Sequence, residues 1–211
     1  MNAGRFITFE GMDGCGKTTQ LRILAGSLRE SGVCVVETAE PGGTEVGRQI
    51  RRILLDPFNT AIHPRTELLL YFGSRAQNVE QVIRPALAAG QTVLCDRFTD
   101  STLVYQGCGR GLDTGIVLDL HRIACQGLMP DLTVLIDIDL ETSLMRARRR
   151  NQRTDVSESR IDEEDHAFHE RVRRGYLSLA AREPDRFAVI DGRASVGEVA
   201  SAIREAVRIR V

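Results

Sequence analysis

Among its 211 residues the sequence holds a single lysine, Lys17, against 27 arginines. Neither sign of charge is in excess. With 28 basic and 29 acidic side chains the formal net charge is −1, which excludes a generally basic nucleic-acid binder and leaves room only for a local arginine stripe. No uncharged apolar run approaches the ~18 residues of a membrane span. The N-terminus reaches a strand-like segment by Phe9 without the charged-then-apolar pattern of a leader, so a cytoplasmic protein is expected. Cys15, Cys34, Cys95, Cys108 and Cys125 show no C-x-x-C spacing, which fits reduced thiols better than a disulfide framework or a zinc site. No repeat, low-complexity tract or composition shift divides the chain, and a single domain over residues 1–211 is expected.

What is present is a rhythm of apolar stretches and helix-period stretches, the pattern of an α/β protein with a parallel sheet covered on both faces. Phe6 to Glu10, Val33 to Thr38, Thr92 to Asp96, Leu132 to Ile138 and Phe187 to Asp191 are almost continuously apolar, as doubly buried strands are. Helices are expected over Lys17 to Glu30, Glu45 to Leu55, Pro64 to Ala88, Thr114 to Cys125, Leu140 to Arg150 and Glu163 to Ala181. A last helix starts at Ser195, where Glu198 three residues on completes a capping box. Asn151 to Asp162 is polar and aperiodic and reads as a mobile surface loop.

Gly11-Met12-Asp13-Gly14-Cys15-Gly16-Lys17-Thr18 fits G-x-x-x-x-G-K-[ST] between an expected strand and an expected helix. Such a loop turns successive N–H groups inward on a phosphate, at the positive end of the following helix. Lys17 then offers a point charge to the β/γ-phosphates and Thr18 a hydroxyl to Mg²⁺. Binding of a nucleoside triphosphate follows. A guanine reader of the GTPase type is excluded, because its N-K-x-D segment needs a second lysine. Cys15 within the loop is open to two readings: a thiol activated by the helix N-terminus, or a small residue at a variable position.

Ligands of open α/β sheets bind beyond the carboxyl ends of the strands. There the sequence places Glu40-Pro41-Gly42-Gly43-Thr44 and Asp96-Arg97-Phe98. Asp96 suits water around Mg²⁺ and Arg97 offers a fork for a phosphate, unless the two merely pair with each other. Tyr71 and Arg75 are spaced i, i+4 on the long helix and can hold a flat heterocycle by stacking and by a bond to a carbonyl oxygen. An ordinary core aromatic is the alternative. Tyr105 and Gln106, in a glycine-rich stretch, carry the same ambiguity. Arg146, Arg148, Arg149, Arg150, Arg153 and Arg160 suit either the negative end of a helix or a lid over transferring phosphates. The interspersed Asp155, Glu158, Asp162, Glu163 and Glu164 argue against nucleic acid there.

Together, Phe9 to Gln20 (FEGMDGCGKTTQ), E-P-G-G-T at 40–44, D-R-F at 96–98 and Y-Q-G-C-G-R-G at 105–111 resemble thymidylate kinases in order and spacing from about residue 5 to 191. The resemblance implies a three-layer P-loop NTPase fold with a five-stranded parallel sheet flanked by helices, and a homodimer. It implies transfer of the γ-phosphoryl of ATP to dTMP with Mg²⁺, and partners limited to small molecules, without nucleic acid or membrane. By position, Gly11 to Thr18 would bind ATP, with Thr18 and Asp96 on the metal. Asp13 would reach the sugar 3′-hydroxyl side, Tyr71 stack on thymine, Arg75 bond its O4, and Arg97 with Arg51 hold the acceptor phosphate. Tyr105 would close the space of a ribose 2′-hydroxyl, with Thr102 and Gln106 nearby.

The family divides by whether its catalytic arginine lies in the phosphate loop or in the lid. Gly14 stands at the loop position, so the lid, about 150–162, would supply it from Arg153 or Arg160. Two departures from the family pattern stand out: Ala39 where many relatives carry arginine before E-P-G-G, and Ser159-Arg160-Ile161-Asp162 where lids often read D-R-x-E. No catalytic base is expected, since a phosphate monoester with a second pKa of about 6 is already largely dianionic. A kinase of another nucleotide or of a deoxynucleoside, or an ATP-driven switch without an acceptor, are the rival readings.

Overall fold

The computed structural model describes residues 4–151 and 159–210. Its centre is a fully parallel sheet of β1 (Phe6–Glu10), β2 (Val35–Ala39), β3 (Thr92–Asp96), β4 (Leu132–Asp137) and β5 (Phe187–Asp191), in the order β2-β3-β1-β4-β5. Every residue of β1 is buried, and alternate side chains feed opposite faces. Ile7 and Phe9 meet Leu21 and Leu24 of α1 (Lys17–Glu30) and Ile203 and Val207 of α9, a helix over Val196–Arg210. Phe6 points the other way, to Val79, Ile83 and Phe98. The result is the expected three-layer α/β/α arrangement.

The remaining helices are α2 (Glu45–Leu55), α3 (Pro64–Asn78), α4 (Arg84–Ala88), α5 (Thr99–Thr102), α6 (Thr114–Cys125), α7 (Leu140–Asn151) and α8 (His166–Arg182). Where the boundaries depart from the sequence reading, local hydrogen bonds explain it. Val33 is held by the turn that closes α1, its N–H bonding back to Leu28 O at 3.0 Å, and β2 starts two residues later. Helix α8 starts at His166 because Asp165 caps it, accepting Phe168 N–H at 2.6 Å. The Ser195–Glu198 capping box forms reciprocally, at 2.9 and 3.3 Å.

Two helical stretches are wider than their periodicity shows. Between α3 and α4 the residues Val79–Ile83 form a π turn, closed by Arg84 N–H on Val79 O. The wider turn carries the axis past Pro85, whose ring has no N–H and would otherwise press on the carbonyl one turn back. A second π turn, Leu103–Gly109, continues α5, so the glycine-rich stretch that carries Tyr105 and Gln106 is helical. Gly109 is required there by close approach: a Cβ would stand 2.5 Å from the Phe168 ring of α8.

This topology positions the site. Strand β3 lies between β1 and β2, with Phe9 and Ala39 both in register with Asp96. The carboxyl ends of three strands therefore open side by side, the place where such sheets bind ligands. All five cysteines are free thiols. Among the described residues no helix is long and apolar enough to cross a membrane.

Candidate active site

Two adjoining cavities open above those strand ends, of about 470 and 720 Å³. Both are lined by Asp13, Thr18, Glu40, Pro41, Arg51 and Arg97, so they are two chambers meeting at one junction. The smaller chamber gathers Tyr71, Arg75, Thr102, Tyr105 and Gln106 around it. The larger is lined by Gly14, Gly16, Lys17, Thr18, Asp96 and Arg146. Gly11, Met12 and Cys15 line neither.

The glycine loop follows β1 directly. Lys17, only 6% exposed, donates to the carbonyls of Gly11 at 3.0 Å and Met12 at 2.8 Å. Gly14, with φ of 78°, lies against α7: a Cβ there would come within 2.6 Å of Ser143 O and 2.9 Å of Arg146 Cβ. No side chain fits at that position, and it is Arg146, from α7 itself, that reaches the larger chamber. The Thr18 hydroxyl donates to Asp96 Oδ2, bringing a hydroxyl and a carboxylate together at the chamber's floor. Burial pushes the Cys15 thiol up from its ordinary value despite the nearby Lys17 and Arg97 charges, which runs against the activated-thiol reading.

Arg97 stands at the junction with a left-handed backbone, φ 71°, a conformation that a side chain disfavours and that marks a functional constraint. Its Nη1 donates to Ser101 Oγ at 3.0 Å and Tyr176 OH at 3.1 Å, and its Nη2 to Asp13 Oδ1 at 2.9 Å and Tyr105 OH at 3.2 Å. The guanidinium also lies 4.9 Å from the Tyr105 ring centroid. Four side chains from separate elements thus hold one fork in one orientation. Arg51 donates to Pro41 O at 2.9 Å and lines both chambers.

The far wall of the smaller chamber is built on α3. Arg75 is 1% exposed. Its Nε donates to Glu40, its Nη1 to Thr102 Oγ1 at 3.0 Å and its Nη2 to Phe98 O at 3.1 Å. The Phe72 and Phe98 rings flank it at 4.9 and 5.2 Å. Glu40 also accepts from Asn78 Nδ2 at 3.0 Å. Burial raises the Glu40 carboxyl and the Arg75 guanidinium pulls it back. Burial, with the charge of Glu67, pushes the Tyr71 phenol up to about 12, so its ring remains neutral.

Arg160 behaves differently from its expected place over the phosphates. Its Nη2 bonds Glu67 Oε2 at 2.5 Å and its Nε bonds Leu54 O, and its guanidinium lines neither chamber. Glu67 also accepts from Gln106 Nε2 at 2.9 Å and from Arg110. Against the burial that would raise it, these donors hold its carboxyl below the ordinary value. Arg153 lies outside the described residues.

The sequence reading missed Glu10, Glu67, Ser101 and Tyr176. Glu10 carried a signal, a carboxylate ending a strand buried along its whole length. Tyr176 carried none, since with Phe168 and Val172 it falls at the i, i+4, i+8 spacing of an ordinary core face.

A family model described as thymidylate kinase matches residues 9–203. The thymidylate kinase of Geobacter sulfurreducens is 54% identical over 209 residues, covering 99% of this chain and 98% of the relative. That of Trichlorobacter lovleyi is 52% identical over 207 residues, covering 98% of each. The crystal structure of thymidylate kinase from Ehrlichia chaffeensis superposes with a TM-score of 0.79 at 33% identity, covering 97% of this chain and 99% of that one. Likeness in sequence, in fold and over nearly the full length of each relative leads to one conclusion: the chain belongs to the thymidylate kinase family.

Proposed function

We propose that the two chambers divide the family's reaction between them, ATP entering the larger and dTMP the smaller, with the γ-phosphoryl crossing at the junction held by Arg97 and Asp13. The observation that carries this assignment is the sharing of Arg97, Asp13, Thr18 and Arg51 by both chambers. Lys17 lies between the β- and γ-phosphates, with Arg146 beside it. A hydroxyl and a carboxylate, Thr18 and Asp96, are hard oxygen donors of the kind that hold Mg²⁺ with phosphates, and the ion supplies charge neutralisation there. Arg97 and Arg51 hold the dTMP phosphate. Tyr71 stacks on thymine, Arg75 donates to its O4, and Thr102 and Gln106 border the base.

Asp13 takes the 3′-hydroxyl side, and Tyr105, tied to Asp13 Oδ2 at 3.1 Å, closes the space of a 2′-hydroxyl. No general base is needed. The work of the site is alignment and neutralisation of two anions that repel. The arginine that contacts the transferring group comes from beyond α7, as Arg153 or Arg160. In the second case its bonds to Glu67 and Leu54 must be exchanged for the phosphate.

Coupled ADP release with ATP, Mg²⁺ and a panel of dTMP, dUMP, UMP, AMP and thymidine tests the assignment. The expected order places dTMP first, with UMP and thymidine at least a hundredfold lower in kcat/KM. Equal turnover of UMP would overturn the role of Tyr105, and ADP release without any acceptor would favour a nucleotide switch.

The family's dimer is proposed for this chain as well. Val46 and Ile53 of α2, Leu69 of α3, and Ile116 and Ile123 of α6 are exposed apolar residues. The three helices pack in sequence, α2 on α3 and α3 on α6, and each pair is spaced i, i+7 on one face. A second copy covering this face gives twice the 23.4 kDa chain mass in sedimentation equilibrium. A monomer at micromolar concentration would contradict it.

A further inference from the structure

Directly beneath Arg97 lies a carboxylate with no place in the substrate contacts above. Glu10 ends β1 and is fully buried. Its Oε1 accepts the Phe98 N–H at 2.7 Å, and its Oε2 accepts the Ser101 hydroxyl at 2.6 Å and the Tyr176 hydroxyl at 2.8 Å. The same two hydroxyls receive Arg97 Nη1. A hydroxyl has one proton. With that proton on Glu10, each turns a lone pair toward the guanidinium. The Phe98 amide is moreover the peptide that follows Arg97, the residue with φ of 71°. One carboxylate therefore grips both the backbone and the head of a single arginine.

We propose that Glu10 is a positioning residue for phosphoryl transfer: its carboxylate polarises Ser101 and Tyr176 and clamps the 97–98 peptide, so that Arg97 meets the acceptor phosphate already oriented. This rests on the role assigned to Arg97 above. The surrounding charges fit it. Arg97 on one side and Asp100 on the other face Glu10, and Asp100 is itself paired in two-pronged fashion with Arg186 at 2.7 and 2.9 Å. Tyr176 from α8, Cys95 from β3 and Arg75 from α3 feel its charge. Burial and Asp100 push the Glu10 carboxyl up to about 7, against the pull of Arg97, Ser101 and the Phe98 amide. Protonation on Oε2 removes the negative charge that faces the guanidinium and makes Glu10 a donor to one hydroxyl, whose own proton then goes to the other hydroxyl 2.8 Å away or toward Arg97. The grip on the guanidinium weakens as pH falls through about 7.

The test compares binding of dTMP and of thymidine by calorimetry, since their affinity ratio isolates the phosphate contact. Glu10→Gln preserves shape but removes the charge and places a donor either against the two hydroxyls or against the Phe98 N–H, both of which need an acceptor. At pH 8 it is expected to lower the dTMP/thymidine affinity ratio at least tenfold, with thymidine binding within twofold of wild type. Tyr176→Phe and Ser101→Ala, each removing one link, lower the ratio by less. The wild-type ratio falls between pH 8 and 6 in a step near 7 as well as with the phosphate's own ionisation near 6, and Glu10→Gln retains only the latter. A wild-type ratio in Glu10→Gln, or equal losses for both ligands, overturns the proposal. Should Glu10→Gln fail to fold, wild-type ratios in both hydroxyl variants overturn it. A wild-type ratio in Arg97→Ala instead overturns the role of Arg97 on which the inference rests.

Discussion

Arg97→Ala is expected to lower kcat/KM for dTMP by about 10³-fold, a loss of ~4 kcal/mol of transition-state stabilisation, while the protein stays folded. The reasoning is geometric. The side chain spans the junction of the two chambers and is held there by Ser101, Tyr176, Asp13 and Tyr105, so its orientation is set before substrate arrives. Its removal deletes the cation proposed to hold the acceptor phosphate where the two chambers meet. Arg51 lines the same space but is already assigned to that phosphate, so it is not spare to take over. Arg97→Lys should recover little, because an ammonium carries the charge without the planar fork that four partners are placed to receive. The KM for ATP should change far less than kcat, since the donor is assigned to the glycine loop and not to Arg97. Near-normal dTMP kinetics in folded Arg97→Ala would remove the arginine from the mechanism, and a pure ATP KM effect would reassign it to the donor side.

What made Arg97 readable in the sequence, and the way its surroundings hold it unreadable, is distance along the chain. The glycine loop, its lysine and its threonine are consecutive, and their chemistry is complete in one segment between a strand and a helix. Arg97 itself could be named because it follows a strand end. Its holding partners lie 4, 8, 79 and 84 positions away, and nothing local distinguishes Tyr176 from a packing aromatic. Tyr71 and Arg75 were legible by helical spacing, yet Glu67, one turn earlier on the same helix, was not. Its role is visible only when Gln106, Arg110 and Arg160 converge on it. That convergence also explains why the expectation for Arg160 as a phosphate contact is not met by its observed bonds. A carboxylate 1% exposed attracts any guanidinium within reach. The π turn at Val79–Ile83 was invisible for another reason. One extra residue in a turn hardly disturbs an apolar period read over a dozen residues, although it re-aims the side chains that follow.

Glu40→Leu carries the largest expected cost in stability, about 3–5 kcal/mol, because it leaves the Arg75 guanidinium buried without a counter-ion. Glu40 is 3% and Arg75 1% exposed, so water cannot take over. Thr102 and the Phe98 carbonyl still accept from the other two nitrogens, and both rings remain, but the Nε–H loses its acceptor along with the charge balance. At about 2–4 °C per kcal/mol for a chain of this size, the midpoint of thermal unfolding should fall by roughly 6–20 °C. Asn78 loses an acceptor as well, and the two contributions are separable. If the uncompensated charge dominates, the double variant Glu40→Leu, Arg75→Met should be more stable than Glu40→Leu alone, since two charges are removed together and apolar groups fill their space. A double variant no more stable than the single would place the worth of Glu40 in Asn78 instead. Recovery of stability need not restore function. Arg75 is the donor assigned to thymine O4, so the double variant should fold well and bind dTMP poorly. That combination identifies the buried pair as a device that holds a specificity determinant in place at the expense of the fold around it.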